Sequence, residues 1–294
     1  MKPIHIALAV GLMIVWGLNF VFIRVALDSY PPLLLATLRF AIAGVPVLFV
    51  RRPPVALWRM LAIAMTLFVA QMAFLFTGMQ VGFPPGLASL TLQVQAFFTV
   101  LIAAGTLGER PRPRNLMALA IAFAGLLVIA TTVGSDGVTV TGFALILASA
   151  LGWASGNVIL RATPRVEMFG MMSWVSMLAV PPLLVLSLAI EGPAADWAAL
   201  LHPSLGGLVG LAYVGIPTTI VGYWVWAELL KRYPAAMVAP FSLLAPVTGT
   251  IGSWLWFHES FSPMRLIGMT LILTGLVVNT LPFERWLARR VARA

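Results

Sequence analysis

Five carboxamide side chains lie inside long apolar stretches of this 294-residue chain. An amide carries donors and an acceptor, so a pocket built from such groups suits hydrogen bonding to small polar or zwitterionic solutes. The alternative is that an amide in a membrane helix bonds only a neighbouring helix. Both interpretations are open for the five residues, which are Asn19, Gln71, Gln93, Gln95 and Asn157.

Spacing separates two of these amides. Gln93 and Gln95 are two positions apart, which is about 200° around a helix. They cannot both face one cavity, so we expect one on a solute pathway and the other between helices. The residue types do not tell which of the two has which role.

Aromatic, hydroxyl and proline residues form a second group of candidates. Tyr and Trp present an apolar wall with one hydrogen-bonding tip, which suits the wall of a cavity, and packing or an interfacial belt is the alternative. Proline inside a helix frees carbonyls and permits bending, so such residues are either hinges or fixed kinks. The wall and hydroxyl candidates are Trp16, Trp153, Tyr223 and Ser242, and the candidate hinges are Pro217 and Pro246.

Acids and metal-binding side chains are scarce. Each of the nine acids falls in a loop or near a helix end, which disfavours a proton relay through a buried carboxylate. Facilitated diffusion, exchange and coupling through terminal acids stay open. Without cysteine, with three scattered histidines and without a phosphate-binding loop, we expect no metal, no cofactor and no ATP-binding site, and an integral membrane enzyme is disfavoured. The acids are Asp28, Glu109, Asp136, Glu167, Glu191, Asp196, Glu228, Glu259 and Glu284.

The elements that carry these residues are predicted to cross a membrane. The chain is 61% hydrophobic and 9% charged, whereas globular proteins are about 45–50% apolar and about 25% charged. This composition disfavours a soluble enzyme or a nucleic-acid-binding protein. Ten apolar stretches approach the roughly 20 residues of a spanning helix, and the first lacks a cleavage region, so we expect it to be retained. They are residues 4–27, 32–50, 56–81, 85–108, 115–133, 139–161, 168–190, 205–230, 235–257 and 264–281.

The net charge of +9 is best explained by membrane topology. If the N-terminus is cytoplasmic, 15 of the 18 Lys and Arg residues fall on the cytoplasmic side, as the positive-inside rule requires. We therefore expect both termini in the cytoplasm of a bacterium and the protein in its inner membrane, with no nucleic-acid partner. The 15 are Lys2, Arg51, Arg52, Arg59, Arg110, Arg112, Arg114, Arg161, Arg165, Lys231, Arg232, Arg285, Arg289, Arg290 and Arg293.

An internal repeat divides the chain into two halves. Residues 84–128 match 234–278 at a constant offset of 150, which aligns Glu109 with Glu259. A weaker match at an offset of 137 or 138 aligns Trp16, Asn19 and Arg24 with Trp153, Asn157 and Arg161.

The repeat predicts an all-α membrane fold of two inverted domains. We expect helices 1–5 in residues 1–134, helices 6–10 in residues 135–282, and a basic cytoplasmic tail in residues 283–294 that contacts anionic lipid. An odd number of spans in each half turns the second half upside down in the membrane. Inverted repeats place a substrate site near the midplane and are characteristic of alternating-access transporters.

The residues of the repeat also resemble a known family. Residues 16–20 (WGLNF), 32–40 (PLLLATLRF), 108–110 (GER) and 258–260 (HES) resemble EamA-type transporters of the drug/metabolite transporter superfamily. Residues 86–99 look most like bacterial exporters of O-acetylserine, cysteine and related amino acids. Aromatic amino acid exporters, and exporters of drug-like cations, share the fold and are the alternative. The resemblance implies that helices 1, 3, 4, 6, 8 and 9 line a central cavity.

One position departs from the family pattern. Many members have proline where this chain has Ala96, although the second half keeps Pro246. We therefore expect the first-half helix 4 to be straighter than its counterpart, helix 9.

Arg39 is a cation deep inside an apolar stretch. It lies eight residues past Pro31, roughly 12 Å along a helix, where an unpaired arginine costs on the order of 3 kcal/mol. One interpretation is a site that attracts a substrate carboxylate. The other is a structural arginine that bonds backbone carbonyls or a helix-end acid such as Asp28. We favour the structural role, because helix 2 is not among the lining helices that the resemblance implies.

Overall fold

The computed structural model describes residues 1–134 and 138–280, and within these ranges all regular secondary structure is helical. Ten membrane helices follow one another, with a short connecting helix, Pro193–Leu201, between the seventh and the eighth. They are α1 (Pro3–Leu27), α2 (Pro32–Leu48), α3 (Leu57–Gln80), α4 (Pro85–Leu107), α5 (Pro113–Ala130), α6 (Val140–Arg161), α7 (Met168–Ile190), α8 (Leu205–Arg232), α9 (residues 235–257) and α10 (Pro263–Thr280). The predicted tail, residues 283–294, lies outside the described residues.

Length and composition allow these helices to cross a bilayer. Seven of the described helices have at least 18 residues and are apolar enough to span, and α2 and α10 are shorter apolar helices. The predicted spans and the observed helices agree to within a few residues at each end. The predicted fold class, ten helices in two inverted repeats, is confirmed.

Proline and left-handed residues set many of the helix ends. Proline occupies one of the first positions of α1, α2, α4 and α5, where its missing N–H costs no intrahelical bond. Helix α4 ends at Gly108 with a φ of 66°, and α9 ends at His258 with a φ of 52°. These two left-handed caps are 150 residues apart, so the repeat offset found in the sequence recurs in backbone conformation.

Helix packing follows an approximate two-fold relation between the halves. Helix α5 packs against α10 and α2 against α7, which are pairs of repeat equivalents. Helix α1 packs against α8 and α9, and α6 packs against α3 and α4 in the same manner. The contact of α5 and α10 is close, because a Cβ on Gly125 would lie 2.6 Å from the carbonyl oxygen of Gly268.

Irregular segments occur at equivalent places in both halves. A π-helical segment, Ala64–Ala70, interrupts α3, and another, Ile216–Val221, interrupts α8. A 3-10 segment lies in α4 at Leu92–Val94 and in α9 at Ala239–Leu243. With Ala96 where many family members have proline, α4 still contains a 3-10 segment, and the expectation that helix 4 is straighter than helix 9 stays a prediction. The irregularity belongs to the repeat and does not require the proline ring.

Candidate functional site

A buried arginine lies where α2, α3 and α8 meet. Arg39 is 4% exposed, its Nε donates to Thr219 Oγ1 at 3.2 Å, and its Nη1 lies 3.5 Å from Met72 Sδ. The guanidinium carbon lies 5.7 Å from the ring centre of Phe40 and 5.9 Å from that of Phe76. All of these partners are uncharged, so no carboxylate in the described part of the chain neutralises this cation within salt-bridge distance.

The partners expected for Arg39 from sequence are wrong. Asp28 pairs instead with Arg24, at 2.5 Å. Within the described part of the chain, the hydrogen bonds of Arg39 go to a hydroxyl and a thioether, and none goes to a backbone carbonyl. The physical reason is that Arg39 lies within α2 and points towards α3 and α8, away from the helix end that carries Asp28.

A small cavity adjoins Thr219, the hydrogen-bond partner of Arg39. It has a volume of about 10 Å³ and is lined from α2, α7 and α8, with Ser173, Ser176, Thr219 and Tyr223 as its polar members. The lining residue of α2 is Ala43, four positions after Arg39 and so on the same helical face. Of the lining helices that the family resemblance implies, only α8 contributes here. A cavity of this size holds at most a water molecule.

The π-helical segment of α8 supplies one wall of this region. Thr219 Oγ1 donates to the Val214 carbonyl at 2.7 Å, which leaves its oxygen free to accept from Arg39. The carbonyl of Thr218 accepts from the indole Nε1 of Trp16 at 3.0 Å. Pro217 lies inside the same segment. One of the two predicted hinges therefore sits at the site, and the irregular backbone makes a carbonyl available to another helix.

Aromatic rings cover the same region from α1 and α8. The Trp16 ring centre lies 6.3 Å from Tyr223 and 5.4 Å from Trp226, and Phe68 of α3 lies 6.1 Å from Tyr223. Two predicted wall residues, Trp16 and Tyr223, are thus brought together, and Tyr223 lines the same cavity as Thr219, the partner of Arg39.

Several buried polar atoms of the membrane helices have no hydrogen-bond partner. Asn19 is 7% exposed and Gln71 is 1% exposed, and neither side-chain oxygen is satisfied. Leaving such atoms unpaired in an apolar surrounding costs free energy. Within the described residues, the unpartnered atoms of the membrane helices are Asn19 Oδ1, Gln71 Oε1, Thr91 Oγ1, Gln95 Oε1, Ser176 Oγ and Thr218 Oγ1.

The remaining sequence candidates lie apart from the arginine. Gln93 and Asn157 are half-buried, and neither lines the two cavities described here. Trp153 packs on the hydrophobic core from α6, and Ser242 lies in the 3-10 segment of α9. Pro246 is buried in α9, where its carbonyl accepts from Ser89.

Sequence reasoning missed Thr219, Ser176 and Met72. The two hydroxyl residues are ordinary on apolar helices and become notable only when α7 and α8 bring them to one cavity. A proline followed by two threonines, residues 217–219, is the one local signal that could have drawn attention to α8.

The two repeat-equivalent glutamates have different partners. Glu259 accepts from the backbone N–H groups of Gly86 at 2.9 Å and Leu87 at 3.3 Å, and burial raises the pKa of its carboxyl group. Glu109 forms an exposed ion pair with Arg161 at 3.0 Å. A cavity of about 490 Å³ opens beside Glu109, lined from α4, α5, α6 and the loop after α4. The two glutamates therefore lie in different surroundings at the two ends of α4.

Comparison with known proteins identifies the family. The profile of the EamA-like transporter family matches residues 3–131 and 140–281, which is most of the chain. The chain belongs to the EamA-like transporter family. This EamA protein is therefore a membrane transporter for small molecules and not an enzyme.

Curated relatives and a solved structure agree with this assignment. A probable amino-acid metabolite efflux pump of Escherichia coli is 40% identical over 95% of each chain, and one of Salmonella typhimurium is 39% identical over 97% of each. A probable terminal-alkyne amino-acid exporter of Streptantibioticus cattleyicolor is 26% identical over 95% of this chain and 93% of its own. One crystal structure has a TM-score of 0.62 at 20% identity and covers 99% of both chains, which shows the shared fold.

Proposed function

We propose that this EamA protein exports amino acids and related small metabolites by alternating access between its two inverted halves, residues 1–134 and 135–282. The names of its relatives, which describe amino-acid metabolite efflux and amino-acid export, support this substrate class. The excess of Lys and Arg on one set of loops supports a bacterial inner membrane location with both termini in the cytoplasm.

The observation that carries the proposal is the set of unpartnered buried polar atoms. Asn19, Gln71, Ser176 and Thr218 lie on four different membrane helices and each leaves a hydrogen-bonding atom unused. Lipid cannot satisfy these atoms, whereas water and a polar solute can. A polar pathway needs such hydrogen-bonding atoms on the helices that meet at the interface of the halves.

The unequal ends of the molecule support alternating access. With the termini inside, Glu259 lies at the outer side, where it caps the first turn of α4. Glu191 caps the first turn of α2 at that same side, with 2.7 Å to the N–H of Leu33. The cavity of about 490 Å³ beside Glu109 lies at the inner side. The cavity at the inner side supports a state of the cycle that opens towards the cytoplasm.

Counterflow in proteoliposomes tests the function. Vesicles with purified protein are loaded with an unlabelled amino acid, and uptake of the labelled amino acid is followed across a panel that includes aromatic amino acids and an organic cation. We expect exchange of amino acids above that of protein-free vesicles. Exchange of a nucleotide-sugar or the organic cation without any amino acid contradicts the proposal. Repeating the assay with and without a pH gradient shows whether protons are coupled.

A further inference from the structure

We propose that Arg39 binds the carboxylate of the transported solute, together with the hydroxyl groups of Tyr223 and Ser176. This inference rests on the proposed function and names the group that the site recognises. It revises the structural role favoured from sequence, because among the described residues Arg39 bonds neither a backbone carbonyl nor an acid.

The charge of Arg39 has no counter-charge among the described residues around it. An arginine buried in a protein interior is ordinarily paired with an acid, because its desolvation costs several kcal/mol. Arg39 is 4% exposed, and its contacts within the described chain are Thr219, Met72 and the rings of Phe40 and Phe76. The rings and the hydroxyl hold the guanidinium in place but leave its charge unneutralised. A transient anionic ligand completes the site.

The guanidinium of Arg39 also has unused N–H donors within the described part of the chain. The guanidinium has five N–H groups in a planar fork. Nε is engaged with Thr219 and Nη1 with the weak acceptor Met72 Sδ, whereas Nη2 has no acceptor in the described part of the chain. A planar fork with free N–H groups matches the two oxygens of a carboxylate.

Two hydroxyl groups offer further donors close to Thr219. Ser176 and Tyr223 line the small cavity next to Thr219 and Ala43. Ser176 is fully buried and its Oγ has no partner, and within the described residues no acceptor receives the Tyr223 hydroxyl. A carboxylate accepts up to about four hydrogen bonds. Ser176 and Tyr223 thus supply hydroxyl donors from α7 and α8 to a cavity that Thr219, the hydrogen-bond partner of Arg39, also lines.

The size of the cavity adds a conformational condition. At about 10 Å³ it holds no amino acid in this conformation. The carboxylate therefore reaches Arg39 only when α7 moves away from α8. The π-helical segment Ile216–Val221, which carries Thr219, lies where α8 would change shape. Carboxylate binding at Arg39 thus belongs to a more open state of the transport cycle.

Competition on the unaltered protein is the first test. Counterflow of an exchanged amino acid is measured with excess of the same amino acid, its carboxamide, or the amine that lacks the carboxyl group. We expect the amino acid to compete at least about tenfold better than the amide or the amine, because each loses a charge-assisted hydrogen-bond pair. If the amide and the amine compete as well as the amino acid does, the inference is overturned and the proposed function is left intact. Absence of exchange for every amino acid overturns the proposed function itself.

Two substitutions locate the effect. Arg39→Gln is expected to lower amino acid counterflow about 10- to 100-fold, and Arg39→Lys, which keeps the charge but not the fork, is expected to recover part of it. Arg24→Gln is the matched control, because Arg24 pairs with an exposed Asp28 at the end of α1. The inference is also overturned if Arg39→Gln exchanges amino acids at the same rate as the Arg24→Gln control.

A milder variant covers the case in which Arg39→Gln does not fold. Tyr223→Phe removes one hydroxyl and keeps the ring that packs on Trp16 and Phe68. We expect its preference for the amino acid over the carboxamide to fall several-fold while its thermal unfolding temperature in detergent is unchanged. An unchanged preference contradicts the role of Tyr223 in binding the carboxylate.

Discussion

The carboxylate of Glu259 accepts the backbone N–H of Gly86 at 2.9 Å, so the loop after α9 caps the first turn of α4. The side chain also bonds Leu87 and Ser253. A Cβ on Gly86 would lie 2.8 Å from the carboxylate oxygen, which explains why glycine occupies the second position of this turn. In the other half, the equivalent Glu109 pairs with Arg161. The same residue of the repeat therefore has two roles, one at each side of the membrane.

Removing the Glu259 cap should destabilise the protein. In Glu259→Ala the N–H groups of Gly86 and Leu87 lose an anionic acceptor, which costs about 1.5–3 kcal/mol. Glu109→Ala is the matched control, since an exposed ion pair contributes at most about 1 kcal/mol. Thermal unfolding in detergent measures both variants. Equal unfolding temperatures for the two would show that the cap contributes no more than the surface pair.

Lowering the pH should stabilise the folded protein through the buried carboxyl group of Glu259. Burial raises the pKa of this carboxyl group above its ordinary value of 4.5, so the folded protein binds the proton more tightly than the unfolded chain does. The free energy of unfolding therefore falls as pH rises from about 4.5 through the raised pKa. Unfolding temperatures measured across that window test the sign, and Glu259→Gln should reduce the pH dependence. A variant with the same pH dependence as the native protein contradicts the assignment.

The contact of α1 with α9 should depend on Gly17. A Cβ there would lie 2.5 Å from the carbonyl oxygen of Ala245 and 2.7 Å from the backbone nitrogen of Gly249. Gly17→Ala must push the helices apart, at a cost of about 1–3 kcal/mol. Gly11→Ala on the same helix is the control, because nothing lies within 4 Å of its Cβ. Unfolding temperature and counterflow should drop only in the first variant, and an equal drop in both would contradict the packing.

Substitution of Gln71 tests whether its amide serves the solute pathway or helix packing. Its Oε1 is buried without a partner, so Gln71→Leu removes an unsatisfied group and should leave stability unchanged or slightly higher. If the amide serves the pathway, counterflow falls about tenfold, in keeping with the loss of one or two hydrogen bonds. Ser149→Ala is the control. The Ser149 hydroxyl donates to the backbone carbonyl of Gln71 at 2.8 Å and so joins α6 to α3. Loss of stability with full transport in Gln71→Leu would favour the packing role.

Much of the architecture follows from the sequence, because it depends on local properties. Apolar length and proline placement predicted the ten spans, and the offset of 150 predicted the equivalence that reappears in the left-handed caps at Gly108 and His258. The small residues Gly152 and Gly156 allow close packing of α6 on α3. Cβ atoms there would lie within 3.0 Å of Thr66 and Leu67 of α3.

The chemistry of the centre depended on which helices become neighbours. Helical periodicity places Arg39 and Ala43 on one face but does not tell that α8 and α3 pack on that face. The sequence by itself determined a membrane transporter with an inverted repeat, few acids and one deeply placed arginine. Only the tertiary structure decided that this arginine meets Thr219 and Met72 and, among residues 1–134 and 138–280, no carboxylate. The reason is that charge compensation in a membrane protein is settled between helices far apart in the chain.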